Sequence, residues 1–244
     1  MYNDFAKVYD SLQDIDYNSF VKYYQKIFEK FNIKPSLVLD LACGTGNVTI
    51  PMAERGYDMI GVDLSEEMLG IAAEKARDKN LNILFLNQDM TEFELYGTVD
   101  AAVCALDGVN YLIHDGELEK MLALIKNYLN PGGIFIFDIN SEQKLSNTLG
   151  NNTFVYDEDD TYCVWSNSYD EEDKICEFTL DFFKREDGGL YRRFEEYQEE
   201  RAYSIDEIRR AAEDARLSVI GCFDDRTFKE ANDTSERIFF ILKK

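Results

Sequence analysis

The chain has 244 residues, and its 26 Lys and Arg against 48 Asp and Glu give a net charge of −22. Such a surface repels phosphate backbones and anionic lipids, so we expect neither a nucleic acid nor a membrane as partner. The five cysteines are scattered without a Cys-x-x-Cys pair, and there is one histidine. This composition argues against a disulfide framework, a zinc site and a histidine-based catalytic triad, and we expect no metal.

The first 33 residues are rich in aromatic side chains. Between residues 20 and 31 the apolar residues recur at helical spacing, which predicts a helix packed on the body of the protein. The N-terminus resembles neither a signal peptide nor a transit peptide, and no apolar segment approaches membrane-spanning length. We therefore expect a cytoplasmic protein.

Residues 37–49 combine a short apolar run, a carboxylate and two glycines. The run predicts a strand ending at Asp40, and Gly44 and Gly46 predict a tight turn into a helix. This order brings backbone N–H groups close to a ligand. A second apolar run ends in Asp63, roughly 20 residues past the turn, where α/β nucleotide sites place an acid on the ribose hydroxyls. The spacing indicates a ligand that contains a nucleoside.

Strand-like and helical patterns alternate from the glycine turn to residue 137. Ser65 is the expected cap of one helix, and Asp115 is the expected cap of a later one. Residues 82–87 predict a third strand, and the apolar run 100–106 predicts a central strand buried on both faces. This alternation predicts a parallel sheet covered by helices on both faces.

The pattern changes near residue 150. Residues 161–165 and 176–182 predict strands, and Gly188-Gly189 predicts a turn between the second of these and a charged, aromatic run. We predict a small antiparallel β insertion over residues 151–200. A cover over the active site, a dimerisation surface and a plain scaffold all stay open as its role.

The α/β pattern resumes at Ser204, which forms a capping box with Glu207 at the start of a helix reaching about residue 216. Residues 217–223 and 238–242 predict two final strands. We therefore place the main domain in residues 1–150 and 201–244, with 1–33 as an N-terminal helical cap.

Three motifs occur in order along the chain. They are Asp40-Leu41-Ala42-Cys43-Gly44-Thr45-Gly46, Gly61-Val62-Asp63-Leu64-Ser65 and Gln88-Asp89-Met90. Together they resemble the motifs of the class I S-adenosylmethionine-dependent methyltransferases, with Ala42 where many members have glycine. The resemblance implies a doubly wound, mostly parallel seven-stranded sheet, Rossmann-like, whose last strand is antiparallel. It also implies S-adenosyl-L-methionine as the cofactor.

The resemblance also assigns roles to residues. It places Asp89 near the adenine amine and Met90 beside the ring, and it places the loop after the fourth strand next to the methyl acceptor. The candidate catalytic residues are Asp107, His114 and Tyr9, and the candidate substrate-binding residues are Asn110 and Tyr111. The predicted cofactor-binding residues are Tyr17, Asp40, Ala42, Cys43, Gly44, Thr45, Gly46, Asp63, Leu64, Met68, Gln88, Asp89, Met90 and Ala105.

The function that the resemblance implies is methyl transfer to N or O of a small-molecule acceptor by in-line displacement, in a monomer or homodimer. Within the family, the chain looks most like small-molecule N- or O-methyltransferases with a strand-rich insertion, including amino-sugar N-methyltransferases. One alternative is an NAD-dependent oxidoreductase, which Thr49 in place of the last fingerprint glycine and the charge of Asp40 disfavour. Another is a catalytically silent partner protein that binds S-adenosylmethionine. The residues do not choose a general base among Asp107, His114, Tyr9 and Tyr17.

Overall fold

The computed structural model describes residues 15–158 and 160–244, and its main sheet has seven strands. They are β1 (Leu37–Leu41), β2 (Asp58–Asp63), β3 (Leu84–Asn87), β4 (Val99–Cys104), β5 (Leu129–Asn140), β10 (Ser218–Asp224) and β11 (Arg237–Lys243), the numbers β6 to β9 belonging to a second sheet. The strands lie in the order β10-β11-β5-β4-β1-β2-β3. Pairs among β1 to β5 are parallel, whereas β11 is antiparallel to both β5 and β10. The predicted mixed sheet is confirmed.

Strand β4 lies at the centre of this sheet, as its continuous apolar run predicts, and all of its residues except Asp100 are buried. Asp40 of β1 pairs in register with Gly61 of β2 and with Val103 of β4. Asp63 is the last residue of β2. The two carboxylates therefore lie at the carboxyl ends of neighbouring parallel strands, at the same edge of the sheet.

Helices cover both faces of the sheet. The described residues form α1 (Tyr17–Lys30), α2 (Thr49–Glu54), α3 (Glu66–Asp78), α4 (Glu117–Tyr128) and α5 (Ile205–Asp214). The buried aromatic stripe of α1 packs with Val38 and Phe239 on one face, while α4 and α5 pack with Leu39 and Phe240 on the other. Successive strand residues point to opposite faces, so each apolar strand contributes to both cores.

The helix ends mostly follow the sequence signals. Ser65 accepts a hydrogen bond from the Met68 N–H at the start of α3, and Ser204 forms the predicted capping box with Glu207. The prediction that Asp115 caps α4 is wrong. Gly116 stands at that position with φ of +86°, and the Asp115 carboxylate instead accepts a hydrogen bond from Arg201 at 2.9 Å. The helix starts one residue later because glycine adopts this left-handed backbone without strain.

The second sheet is inserted between β5 and α5. Its four antiparallel strands follow one another as β6 (Thr153–Glu158), β7 (Thr161–Asp170), β8 (Ile175–Arg185) and β9 (Tyr191–Arg201). The predicted antiparallel insertion is confirmed. Phe182 and Cys163 on its inner face pack against Met68 at the start of α3, so the second sheet lies over the carboxyl edge of the main sheet.

Candidate active site

A cavity of about 960 Å³ lies at the carboxyl ends of the parallel strands. The loops that follow β1, β2, β3 and β4 form one side of it, and the inner face of the second sheet forms the other. Doubly wound α/β proteins bind ligands at this edge of the sheet. The volume falls in the range of small-molecule sites.

The glycine turn after β1 has the backbone that the sequence predicts. Gly44 and Gly46 have φ of +52° and +79°, and Ala42 also adopts a positive φ of 54°. A Cβ added to Gly44 would meet nothing within 4 Å, whereas one added to Gly46 would lie 3.1 Å from Ile50 Cδ1. Gly44 therefore leaves open space at the cavity wall, and Gly46 allows the turn to pack against the helix that follows.

Asp63 joins the ends of β1 and β2. Its Oδ2 accepts a hydrogen bond from the Gly44 N–H at 2.7 Å, and its Oδ1 accepts one from the Ser65 N–H at 2.9 Å. Burial raises the pKa of this carboxyl, and the backbone hydrogen bonds act in the opposite direction. The two bonds fix the orientation of the carboxylate at the cavity wall.

Asp40 is a buried carboxylate on the same wall, with 1% of its surface exposed. The Thr49 hydroxyl donates a hydrogen bond to Asp40 Oδ2 at 2.6 Å. Burial raises the pKa of Asp40 to about 7, and Asp63 contributes in the same direction while the Thr49 hydrogen bond opposes it. The charge of Asp40 therefore changes near neutral pH.

The loop after β3 presents Asp89 to the cavity in a fixed turn. Asp89 Oδ1 accepts hydrogen bonds from the backbone N–H and from the hydroxyl of Thr91, both at 2.7 Å. Gln88 Oε1 accepts one from the Glu94 N–H at 2.7 Å. These contacts close an Asx-type turn, which holds the third motif in one conformation.

The loop after β4 is held by a buried ion-pair network. Leu106 and Asp107 both have φ of +57°, and their N–H groups donate to Asp138 at 2.9 and 3.2 Å. Arg237 donates to Asp138 through Nη1 and to Asp107 Oδ1 through Nη2, the latter at 2.7 Å. Two consecutive left-handed residues are strained, and such backbone persists only where its surroundings hold it.

Most of the predicted site residues meet at this cavity. Every residue predicted to bind the cofactor lines it except Gly46, and Asp107, Tyr111 and His114 line it as well. Asn110 is fully buried behind the wall, where its side chain bonds the backbone of Asn140 and Arg201. Tyr9 lies outside the described residues. The roles of all these residues stay predictions.

Comparison with known proteins identifies the family. The sequence profile of a family described as a methyltransferase domain matches residues 38–133. A protein of Geobacillus sp. (strain WCH70) assigned as a methyltransferase is 31% identical, over 100% of this chain and 99% of that protein. The crystal structure of an S-adenosylmethionine-dependent methyltransferase from Clostridium acetobutylicum ATCC 824 has a TM-score of 0.90 at 36% identity, with 99% and 98% of the two chains covered. The chain belongs to the class I S-adenosylmethionine-dependent methyltransferases.

A second relative of this methyltransferase, from Bacillus subtilis (strain 168), is 32% identical over 100% of this chain and 97% of that protein. The family favours the methyltransferase interpretation over the NAD-dependent oxidoreductase. Within the described residues of the methyltransferase, no helix is long and apolar enough to cross a membrane. The same residues contain no group of three or more His, Cys, Asp or Glu that could hold a metal ion.

Sequence reasoning left open whether the insertion covers the methyltransferase cavity, and it named no residue on that far side. The second sheet contributes an aromatic and apolar wall there, followed by two polar residues on β9. The residues are Tyr156, Trp165, Phe178, Leu180, Gln198 and Glu200. Asn140, Lys144 and Arg237 complete the polar side, and no local motif marks any of them. The alternating pattern of β8 is the one signal that points to this wall, since it assigns Phe178 and Leu180 to one face.

Proposed function

We propose that this protein transfers a methyl group from S-adenosylmethionine to N or O of a small molecule bound in the cavity. One observation carries the proposal: a single cavity joins the acid-tipped ends of β1, β2 and β3 to the aromatic wall of the second sheet. The first part has the donors and acceptors that a nucleoside needs, and the second has the apolar surface that an acceptor needs.

The residues present fit the cofactor. The open space beside Gly44 leaves room for a ligand close to the backbone. The fixed Asp63 carboxylate would accept hydrogen bonds from ribose hydroxyls, and Asp89 would accept one from the adenine amine. Asp40 places a carboxylate where an ammonium or sulfonium group gains electrostatic stabilisation.

When bound, the cofactor supplies an electrophilic methyl group. The protein's contribution is then to hold the acceptor in line with it and to exclude water. We assign the exclusion of water to the second sheet, because its inner face closes one side of the cavity.

Asp107 shares the Arg237 guanidinium with Asp138, which favours a role for Asp107 in fixing the loop after β4. We infer that Asn110 has a similar supporting role, because its side chain forms hydrogen bonds with the backbone of Asn140 and Arg201.

Calorimetric titration with S-adenosylmethionine, S-adenosylhomocysteine and NAD tests the proposal. We expect saturable binding of the first two and none of NAD. Turnover of labelled S-adenosylmethionine with a panel of amines and alcohols then separates an enzyme from a silent partner protein, which would bind the cofactor without transferring the methyl group. Binding of NAD alone would overturn the cofactor assignment.

The two turn glycines should respond differently to alanine. We expect Gly44→Ala to weaken S-adenosylhomocysteine binding about tenfold, because the methyl group enters open space at the cavity wall. The positive φ of Gly44 should add a modest loss of stability of about 1–2 kcal/mol. We expect Gly46→Ala to lower the free energy of unfolding further, by about 2–5 kcal/mol, because the methyl group crowds Ile50 and Ala72 in addition to the cost of its positive φ. Calorimetry and urea unfolding of both variants check this contrast, and equal effects on binding and stability would contradict it.

The affinity for S-adenosylmethionine should depend on pH through Asp40. Its pKa in the folded protein is about 7, so the carboxyl is mostly neutral at about pH 6 and ionised at about pH 8. The ionised form attracts a cationic ligand, so we expect binding to tighten up to about tenfold over this interval. Asp40→Asn should flatten this rise, because the titrating carboxyl is removed. The ligand's own titration is common to both proteins, so an identical rise in the two would exclude Asp40 as its source.

A further inference from the structure

Glu200 is a buried carboxyl group that reaches the cavity from the second sheet. It lies near the end of β9, 4% of its surface is exposed, and it lines the cavity beside Gln198. Its Oε2 accepts a hydrogen bond of 2.8 Å from Asn140 Nδ2. Burying a carboxyl group costs free energy unless it is hydrogen-bonded or paired with a charge.

Glu200 is held by a hydrogen bond and, among the described residues, forms no direct salt bridge. Asn140 lies between Glu200 and two cations, because its Oδ1 accepts hydrogen bonds from Lys144 Nζ at 2.8 Å and from Arg237 Nη2 at 3.1 Å. Burial raises the pKa of Glu200 well above its usual range, with a further contribution from Asp107, while Asn140, Lys144 and Arg237 act in the opposite direction. A raised pKa makes the ionised form of such a carboxyl group a stronger proton acceptor.

The charge of the whole cavity favours a cationic acceptor. Among the described residues that line it, seven are Asp or Glu, and the basic ones besides His114 are Lys144 and Arg237. Arg237 is already paired with Asp107 and Asp138. A cleft lined by one sign of charge attracts ligands of the opposite sign.

The aromatic wall next to Glu200 can bind the part of such an acceptor that surrounds its ammonium group. Tyr156 and Phe178 both lie against the Trp165 ring, with centroid distances of 6.3 and 5.7 Å. All three line the cavity, as does Leu180 on the same sheet. Aromatic faces bind both apolar groups and ammonium groups.

We propose that the acceptor is an amine, that Glu200 binds its ammonium group, and that Glu200 accepts the proton released before methyl transfer. This inference rests on the proposed function and names its substrate class. The acceptor R–NH₃⁺ gives one proton to the Glu200 carboxylate and becomes R–NH₂. The nitrogen lone pair forms the bond to the methyl carbon, and the electron pair of the broken C–S bond stays on sulfur. The products are R–NH₂–CH₃⁺, a protonated Glu200 and S-adenosylhomocysteine.

An amine fits this site better than a hydroxyl acceptor. A carboxylate first stabilises an ammonium group by charge and can then take its proton. An aliphatic hydroxyl offers no such charge and needs a far stronger base. A hydroxyl that reacts as an oxyanion would develop negative charge among the carboxylates of the cavity, which opposes it.

Titration of benzylamine and benzyl alcohol into the protein saturated with S-adenosylhomocysteine tests the inference. The two probes share an aromatic ring and differ in the group that Glu200 would bind. We expect benzylamine to bind about tenfold more tightly or better, and Glu200→Gln to remove most of this preference. We also expect labelled S-adenosylmethionine to methylate benzylamine with a kcat that falls about 100-fold in Glu200→Gln.

Glu196→Gln is the matched control. Glu196 lies four residues earlier on the same face of β9 and is similarly buried, but it does not line the cavity. It should keep the amine preference. Equal affinity for the two probes, no binding of benzylamine, or an unchanged preference in Glu200→Gln would each overturn the inference. Because binding of S-adenosylhomocysteine is measured first, its loss would identify a failure of the proposed function instead.

Discussion

Asp63→Ala is expected to weaken S-adenosylmethionine binding by about 100-fold or more while the protein stays folded. The substitution removes a carboxylate that would accept hydrogen bonds from two ribose hydroxyls, each worth about 1.5–3 kcal/mol. Every 1.4 kcal/mol corresponds to about a tenfold change in affinity. It also frees the Gly44 N–H, which donates to Asp63 Oδ2 at 2.7 Å, so the glycine turn loses one of its anchors.

Asp58→Ala is the matched control for this prediction. Asp58 begins the same strand that Asp63 ends, and it is exposed at the opposite edge of the sheet. Calorimetric titration should give this variant the affinity of the unsubstituted protein, and thermal unfolding without ligand should separate lost binding from lost folding. An affinity in Asp63→Ala equal to that of the unsubstituted protein would show that the cofactor is placed wrongly.

The side of the cavity formed by the loops after β1, β2 and β3 could be predicted, because the sequence patterns that mark it are local. An apolar run predicts a buried strand, and a polar residue directly after it lies at the strand's carboxyl end. Parallel strands place those ends at one edge, so the sequence alone is enough to bring Asp40, Asp63 and Asp89 together. The sequence signal for the glycine turn is equally local, since Gly44 and Gly46 both have the positive φ that a tight turn requires.

The far side depends on contacts that no local pattern contains. Glu200 faces the cavity only because the second sheet folds back over the main sheet, and the charged sequence of β9 by itself suggests an exposed strand. Arg237 and Asp107 are 130 positions apart in the chain, and β11 brings them together by pairing with β5. Such placements follow from sheet order and register. Periodicity specifies the face of a residue but not its neighbour across the sheet.

Arg237→Met is expected to lower the free energy of unfolding by about 3–5 kcal/mol, because it leaves Asp138 as a buried charge without its partner. Burial disfavours the charge of Arg237, yet Asp138 and Asp107 together raise its pKa above the usual value. Urea unfolding measures the loss. Arg210→Met, on the exposed side of α5, is the matched control and should stay within about 0.5 kcal/mol of the unsubstituted protein.

A second substitution distinguishes the lost charge pair from the lost support of the loop. Asp138 also accepts the N–H groups of Leu106 and Asp107, which hold their two left-handed residues in place. Adding Asp138→Asn to Arg237→Met removes the unpaired charge but keeps an amide oxygen that can accept from the loop. We therefore expect the double variant to recover part of the lost stability in the same urea titration. A double variant less stable than Arg237→Met alone would mean that the Asp138 charge stabilises the strained loop directly, independently of Arg237.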